Sequence, residues 1–304
     1  MSQLPPPPAA RTLGASGIAI SPIAWGMWRL AENGRSAAEA ARLVHAALDA
    51  GITLLDTADI YGFDGSGGFG DAEALLGEVL AAEPELRARM VLATKGGIRP
   101  PAPYDQSAAY LAEAIDASLR RLQVERIDLW QIHRPDILAH PQEVAGALDA
   151  AVAAGKIAAL GVSNMTQAQT AALNQFLDNK LVATQPEISP LRIAAFENGE
   201  LDQAMMLGLT PLAWSPLGGG RLADPQAPRD VAVAAALDVV ARQQGVSRSV
   251  AAYAWLMAHP AGIVPIVGSQ QAERIAEAAQ ALAVRWSRKE WYNVLVAARG
   301  EKLP

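Results

Sequence analysis

Apolar and polar positions alternate in blocks along almost the whole chain. Short apolar runs ending on a polar residue are followed by longer, alanine-rich segments with a helical stripe, the pattern of repeated βα units on a parallel sheet. Eight such runs stand at 23–28, 52–56, 90–94, 127–132, 158–162, 181–185, 210–214 and 262–267. Several are apolar throughout, as expected of strands covered on both faces.

The intervening segments carry helix punctuation. Ser36-Ala37-Ala38-Glu39 reads as a capping box, with Gly51 as the closing left-handed residue and Leu43, Val44, Ala47 and Leu48 as the apolar stripe between them. Leu111, Ile115, Leu119 and Leu122 form a second stripe, and Val144, Leu148, Ala151 and Val152 a third, closed by Gly155. Further helices are predicted from Asp71, Thr166, Glu197, Arg229, Ser247 and Gln270, and Ser287-Arg288-Lys289-Glu290 is a second capping box opening the last helix. Eight strands with a helix after nearly every one predict an α/β fold, a closed (β/α)8 TIM barrel. Residues 12–22, with Gly14 and Gly17 as turn residues, predict a short N-terminal β-hairpin.

Length fits one domain: a barrel of ~250 residues plus the hairpin, a tail and a last helix accounts for all 304, and no linker-like shift divides the chain. The expected division is a disordered proline-rich tail over 1–11 and a single barrel domain over 12–304. The first ten residues have neither a basic stretch nor an apolar one, so a frayed tail is expected and not a signal peptide. The richest apolar stretch, 231–241, is short and contains Asp238, too little to span a bilayer. Hydrophobic residues make up 51% and charged ones 18%, which excludes a disordered chain. With 25 Lys and Arg against 31 Asp and Glu, net charge −6, nucleic acid is not an expected partner. The absence of cysteine removes disulfides, thiolate metal sites and cysteine nucleophiles together. A soluble, cytoplasmic protein without a membrane partner is expected.

Gly65-Ser66-Gly67-Gly68-Phe69-Gly70 matches G-x-G-x-x-G ahead of a helix, so a Rossmann reading has to be weighed. The true fingerprint sits directly after its strand, whereas residues 56–62 intervene here, and the next strand ends in Lys95 where a ribose-binding acid is needed. A glycine-rich surface loop, able to border a pocket, is the better reading.

In a barrel, chemistry gathers at the C-terminal ends of the strands. Asp56, Lys95 and His133 end three consecutive strands, and Ser163-Asn164, Gln185, Trp214-Ser215 and Gly268-Ser269 end later ones. Singly, each has a structural reading as a turn cap, a solvated charge or a core residue. Together an acid, a lysine and a histidine converge, with Tyr61 in the loop just after Asp56. An adjacent ammonium is expected to stabilise the Tyr61 phenolate and bring its pKa down from ~10 towards the working range, making it an acid, while His133 orients a substrate oxygen. The other histidines, His45, His140 and His259, lack metal-ligand spacing, so no metal is expected, and Met205-Met206 is expected to be a packed helix face.

At these residues the sequence resembles the aldo-keto reductase superfamily, and closely its bacterial oxidoreductases of the YdhF type. The motifs stand in order: Gly26-Met27-Trp28, Leu55-Asp56-Thr57-Ala58-Asp59-Ile60-Tyr61-Gly62, Ala93-Thr94-Lys95-Gly96-Gly97, Asp128-Leu129-Trp130-Gln131-Ile132-His133-Arg134-Pro135, Gly161-Val162-Ser163-Asn164, Gln185-Pro186-Glu187-Ile188-Ser189-Pro190, Trp214-Ser215-Pro216-Leu217-Gly218-Gly219-Gly220-Arg221 and Pro265-Ile266-Val267-Gly268-Ser269. The resemblance implies an NADP-dependent enzyme that reduces an aldehyde or ketone, a small-molecule carbonyl substrate, with NADP(H) extended across the barrel mouth and no Rossmann domain. By matching position it implies Tyr61 as general acid, Lys95 and Asp56 as its tuning pair and His133 as the carbonyl-orienting group. For the cofactor it implies Gly26, Met27, Trp28 and Asp56 among the contacts, Ser163, Asn164 and Gln185 on the carboxamide, and Trp214 stacked on the ring where many relatives have tyrosine. Ser215, Pro216, Leu217, Gly218 and Arg221 are implied at the pyrophosphate, and Gly268, Ser269, Arg274 and Glu277 at the adenosine end. Gly268 stands where many relatives carry lysine and Ala278 where they carry asparagine, so a preference for NADPH rests mainly on Arg274. The alternatives are a nicotinamide-binding regulatory or accessory subunit with little turnover, against which the intact set of four argues, and an unrelated barrel enzyme, against which the missing metal ligands argue.

Overall fold

Two short antiparallel strands, β1 (Arg11–Thr12) and β2 (Ala19–Ile20), open the fold in a computed structural model that describes residues 3–303. Eight parallel strands follow: β3 (Ala24–Gly26), β4 (Leu54–Asp56), β5 (Val91–Gly96), β6 (Ile127–Ile132), β7 (Ile157–Ser163), β8 (Leu181–Gln185), β9 (Thr210–Ala213) and β10 (Val264–Val267). They pair in chain order, and β10 returns to β3 to close the barrel. The fold is the (β/α)8 barrel with a hairpin that the hydrophobic pattern predicts.

The outer layer holds α1 (Ala37–Asp49), α2 (Asp71–Ala82), α3 (Ala108–Leu122), α4 (Pro141–Ala153), α5 (Gln167–Phe176), α6 (Glu200–Leu207), α7 (Pro228–Gln244), α8 (Arg248–Met257), α9 (Ala272–Ala278) and α10 (Arg288–Arg299). Both expected capping boxes form: the Ser36 and Ser287 hydroxyls accept from the Glu39 and Glu290 amides, and each glutamate reaches back to the serine amide. The helix expected from Glu197 starts later, because Gly199 takes a left-handed conformation (φ 86°) as the N-cap of α6. Met205 and Met206 on that helix are 45% and 74% exposed, so they are not the packed face expected of them.

Strand boundaries move with hydrogen-bond register and not with hydropathy. β3 and β10 are shorter than their apolar runs, whereas β5 and β7 extend to Gly96 and Ser163, so Lys95 and Ser163 lie on strands rather than just beyond them.

Inside the barrel, Ala24, Leu54, Ala93, Leu129, Ala183, Leu212 and Val264 pack with Leu13 and Ile20 from the hairpin. The Gly14 amide bonds Thr210 Oγ1 at the start of β9, so the hairpin plugs the N-terminal end and leaves the C-terminal end as the mouth. Successive side chains alternate faces, so two residues beyond each inward Leu54, Ala93, Leu129 and Ala183 come Asp56, Lys95, Gln131 and Gln185. The apolar interior is thus capped by a polar layer. In the proline-rich segment, Gln3 bridges to Ser287 and the Leu4 amide donates to the Trp286 carbonyl at 2.8 Å, while residues 1 and 2 of the expected tail lie outside the described residues. Among the described residues no helix is long and apolar enough to cross a membrane, and no group of three or more His, Asp or Glu is placed to hold a metal ion.

Candidate active site

Lys95 organises the mouth. Its ammonium is fully buried and donates to Asp56 Oδ2 at 2.6 Å, to the Thr57 carbonyl at 2.7 Å and to the Tyr61 hydroxyl at 3.1 Å. Parallel pairing sets Asp56 beside Ala93 and Lys95 beside Gln131, so neighbouring strands bring these side chains to one level. The second oxygen of Asp56 accepts from Gln131 Nε2 at 3.2 Å and Gln185 Nε2 at 3.1 Å. A buried carboxylate with all these donors is a satisfied one, as burial of charge requires.

Tyr61 is carried by a turn in which its amide bonds the Ala58 carbonyl, and its own carbonyl accepts from Ala72 at the start of α2. Its ring meets the His133 ring edge to face, centroids 5.8 Å apart. Burial raises the Tyr61 pKa above the ordinary tyrosine value; Lys95 pulls against this without overcoming it, and Asp56 adds to it. The expected lowering is therefore reversed, and the cause is desolvation of the phenolate. Burial also works against the Lys95 ammonium, but Asp56 and Tyr61 more than offset it and hold its pKa above the usual lysine value. His133 is held well below the usual histidine value, first by burial and then by the charges of Lys95 and Arg134, so its imidazole is neutral at physiological pH. Its Nδ1 is buried without a partner among the described residues.

The remaining predicted residues form an arc around this centre. The Ser163 hydroxyl donates to the Gln185 carbonyl at 2.9 Å and accepts from Asn164 Nδ2 at 2.7 Å, and Asn164 Oδ1 accepts from the Trp214 indole at 3.0 Å. Ser163, Asn164 and Trp214 are thus one hydrogen-bonded unit. The Gln185 side chain instead joins Asp56 and Gln131 through its Nε2. Beyond Trp214, Ser215 is left-handed (φ 53°) and its hydroxyl accepts the Gly219 amide, shaping a turn through Pro216, Leu217 and Gly218 to the exposed Arg221, whose Nε lies 3.6 Å from buried Asp230. Gly26 lies flush under the mouth, where a Cβ would come within 2.7 Å of Ile266 Cγ2. Met27 is fully buried and Trp28 is 66% exposed, so only the latter presents its side chain at the rim. Ser269 accepts the Trp25 indole on its carbonyl, Gly268 and Arg274 are exposed, and Glu277 is half-buried on α9.

This geometry suits a nicotinamide cofactor: an indole held in place by Asn164 with the Ser163–Asn164 polar unit beside it. The glycine motif serves a different purpose. Gly70 is the left-handed N-cap of α2 (φ 92°), and a Cβ there would meet the Arg121 side chain at 2.4 Å.

Two groups in the site were not singled out in the sequence. Gln131 shares the parity of Leu129 and His133 along β6, and that two-residue period is the signal that marks it. Asp59, two residues before Tyr61, and Glu73 on α2 are two further buried carboxyls. Glu73 is bound by Thr94 Oγ1 at 2.5 Å and Arg121 at 2.6 Å, whereas neither Asp59 oxygen has a partner among the described residues. Burial, then the Glu73 charge, raises the Asp59 pKa well above the carboxylate range.

The comparisons agree with this architecture. The model of the aldo/keto reductase family matches residues 22–295. A 6-dehydroglucose reductase of Novosphingobium aromaticivorans is 78% identical over the full length of both chains. Another protein of that name, from Agrobacterium fabrum, is 39% identical over 94% of this chain and 97% of its own. Oxidoreductase YdhF of Escherichia coli is 36% identical over 96% and 98%. A solved structure of the thermostable aldo-keto reductase Tm1743 with the inhibitor epalrestat superposes with a TM-score of 0.82 at 22% identity, covering 95% of this chain and 99% of that one. With the family model matched over residues 22–295 and a relative 78% identical over the full length, the chain belongs to the aldo/keto reductase family of oxidoreductases.

Proposed function

We propose that the protein is an NADPH-dependent reductase of sugar aldehydes, in which Tyr61 gives a proton to the carbonyl oxygen as hydride reaches the carbonyl carbon. The observation that carries this reading is the buried Lys95 ammonium bridging Asp56 and the Tyr61 hydroxyl, with the neutral His133 ring against Tyr61. NADPH, when bound, supplies the hydride. The protein's own part is positional and electrostatic. A carbonyl oxygen at the Tyr61 hydroxyl accepts its proton, and the Lys95 ammonium beside that hydroxyl stabilises the charge left behind. The raised pKa keeps Tyr61 protonated at neutral pH, the state an acid needs before the reaction. Asp56, tied to Gln131 and Gln185, keeps Lys95 charged and fixed.

Ser163, Asn164 and the Gln185 Oε1 would hold the carboxamide, Trp214 the ring, and the turn 215–221 the pyrophosphate. Preference for NADPH rests on Arg274, which is exposed in the first turn of α9 and has no ion-pair partner among the described residues, leaving its guanidinium free for a 2′-phosphate. The substrate class comes from the 78%-identical relative, whose name specifies a glucose oxidised at position 6, the aldehyde carbon in such a sugar. The test is to follow NADPH and NADH consumption with glucose 6-aldehyde, glyceraldehyde, simple aldehydes and ketones. Turnover of the sugar aldehyde with NADPH, at least about tenfold more efficient than with NADH, is expected from one charged phosphate contact. No turnover with either cofactor would overturn the enzyme reading, and equal use of NADH would overturn the Arg274 assignment.

A further inference from the structure

Arg134 follows His133 directly, and its guanidinium carbon lies 5.8 Å from the centroid of the Trp214 ring. The backbone around it is fixed. The His133 carbonyl accepts from Asn164 Nδ2 at 3.2 Å, the Arg134 carbonyl accepts from the buried Gln106 amide side chain at 2.5 Å, and the Asp136 carboxylate takes the Gln106 and Leu138 amides. The guanidinium itself has no hydrogen bond or ion pair among the described residues, although it is half-buried. It is also one of two cations, with Lys95, whose field acts on both Tyr61 and His133. Lys95 is fully engaged by Asp56, Thr57 and Tyr61; Arg134 is not.

From this placement we propose that Arg134 is a specificity-determining residue, donating its N–H groups to an acceptor oxygen on the substrate carbon next to the carbonyl, the hydroxyl of a polyol aldehyde. Arg134 is next in the chain to His133 and lies over Trp214, so a carbonyl held at Tyr61 and His133 would turn its neighbouring carbon towards that pair. Guanidinium is a planar fork of donors with no acceptor, so it selects oxygen-bearing substrates over hydrocarbon ones. Trp214, restrained by Asn164, gives the fork a face to rest on, which lowers the entropy lost when the substrate binds.

The inference rests on the aldehyde-reductase reading, and a matched pair of substrates separates the two. Glyceraldehyde and propanal share a three-carbon aldehyde skeleton and differ in the two hydroxyls. For Arg134→Ala, kcat/KM for glyceraldehyde should fall by about tenfold or more through KM, with that for propanal falling far less and NADPH affinity within about twofold of wild type. Arg134→Lys, which keeps the charge but loses the fork, should recover only part of the glyceraldehyde loss. Equal losses on both aldehydes, a loss confined to kcat, weakened NADPH binding, or no change each overturn the role proposed for Arg134. A wild-type protein that turns over neither aldehyde overturns the reductase reading, and this inference with it.

Discussion

Asp59 shows at the level of one residue how the site is built on burial. It lies two positions before Tyr61 with 1% exposure, no partner for either carboxylate oxygen among the described residues, and the Glu73–Arg121 salt bridge nearby. Its native pKa is raised well above its unfolded value, so the folded protein holds the extra proton. The stability this proton gives is complete below the unfolded pKa of ~3.9 and is lost as pH rises towards the native value. Asp59→Asn cannot ionise and should therefore gain on the wild type as pH rises. Thermal unfolding between pH 4 and 8 should show a difference in Tm that grows in the variant's favour; a variant less stable by the same amount at every pH would show that the carboxyl serves as a charge. His133 behaves oppositely. Its native pKa is depressed, so its contribution is complete above the unfolded value of ~6.5 and is lost as pH falls below it. Asp56, Lys95 and His133 were legible in the sequence because polar residues at the ends of apolar runs stand out. Gln131 and Asp59 were not, because their importance depends on which neighbour the barrel stagger brings to them. The direction of the Tyr61 shift was also beyond reach, since it turns on how far burial outweighs a partner's charge.

At the level of elements, the loop bearing Tyr61 is braced by α2, and α2 is braced by α3. The Ala72 amide bonds the Tyr61 carbonyl, Glu73 on the same helix turn takes Arg121 of α3, and Arg121 lies across Gly70. A side chain at Gly70 meets two penalties, the left-handed φ of 92° and the Arg121 guanidinium. Gly70→Ala is expected to cost about 1–3 kcal/mol, measured by chemical denaturation, and to lower turnover because the Tyr61 turn shifts with α2. Full stability and activity would show that Arg121 can step aside without loss. Capping boxes and closing glycines were readable from local sequence because they satisfy backbone groups within a few residues. The ends of β3, β5, β7 and β10 were not, because they are set by register against strands distant in sequence.

The whole molecule divides labour along the barrel axis. The hairpin seals the N-terminal end, alanine, leucine and valine fill the middle, and the Asp56, Lys95, Gln131 and Gln185 layer lies beneath the mouth. A closed barrel of short parallel strands was evident from the eight apolar runs, because each strand is covered on both faces and reads as a near-continuous apolar segment. Binding confined to the folded state stabilises it by mass action, so saturating NADPH should raise Tm, and NADH at equal concentration should raise it less. The central claim is that this chain reduces a carbonyl with Tyr61 as the proton donor. It is tested most directly by measuring NADPH affinity and NADPH-dependent aldehyde reduction in parallel for the wild type and Tyr61→Phe. The account predicts affinity within about threefold of wild type and turnover reduced by ~10²–10⁴. Turnover in Tyr61→Phe close to that of the wild type, with the cofactor bound as tightly, would contradict it.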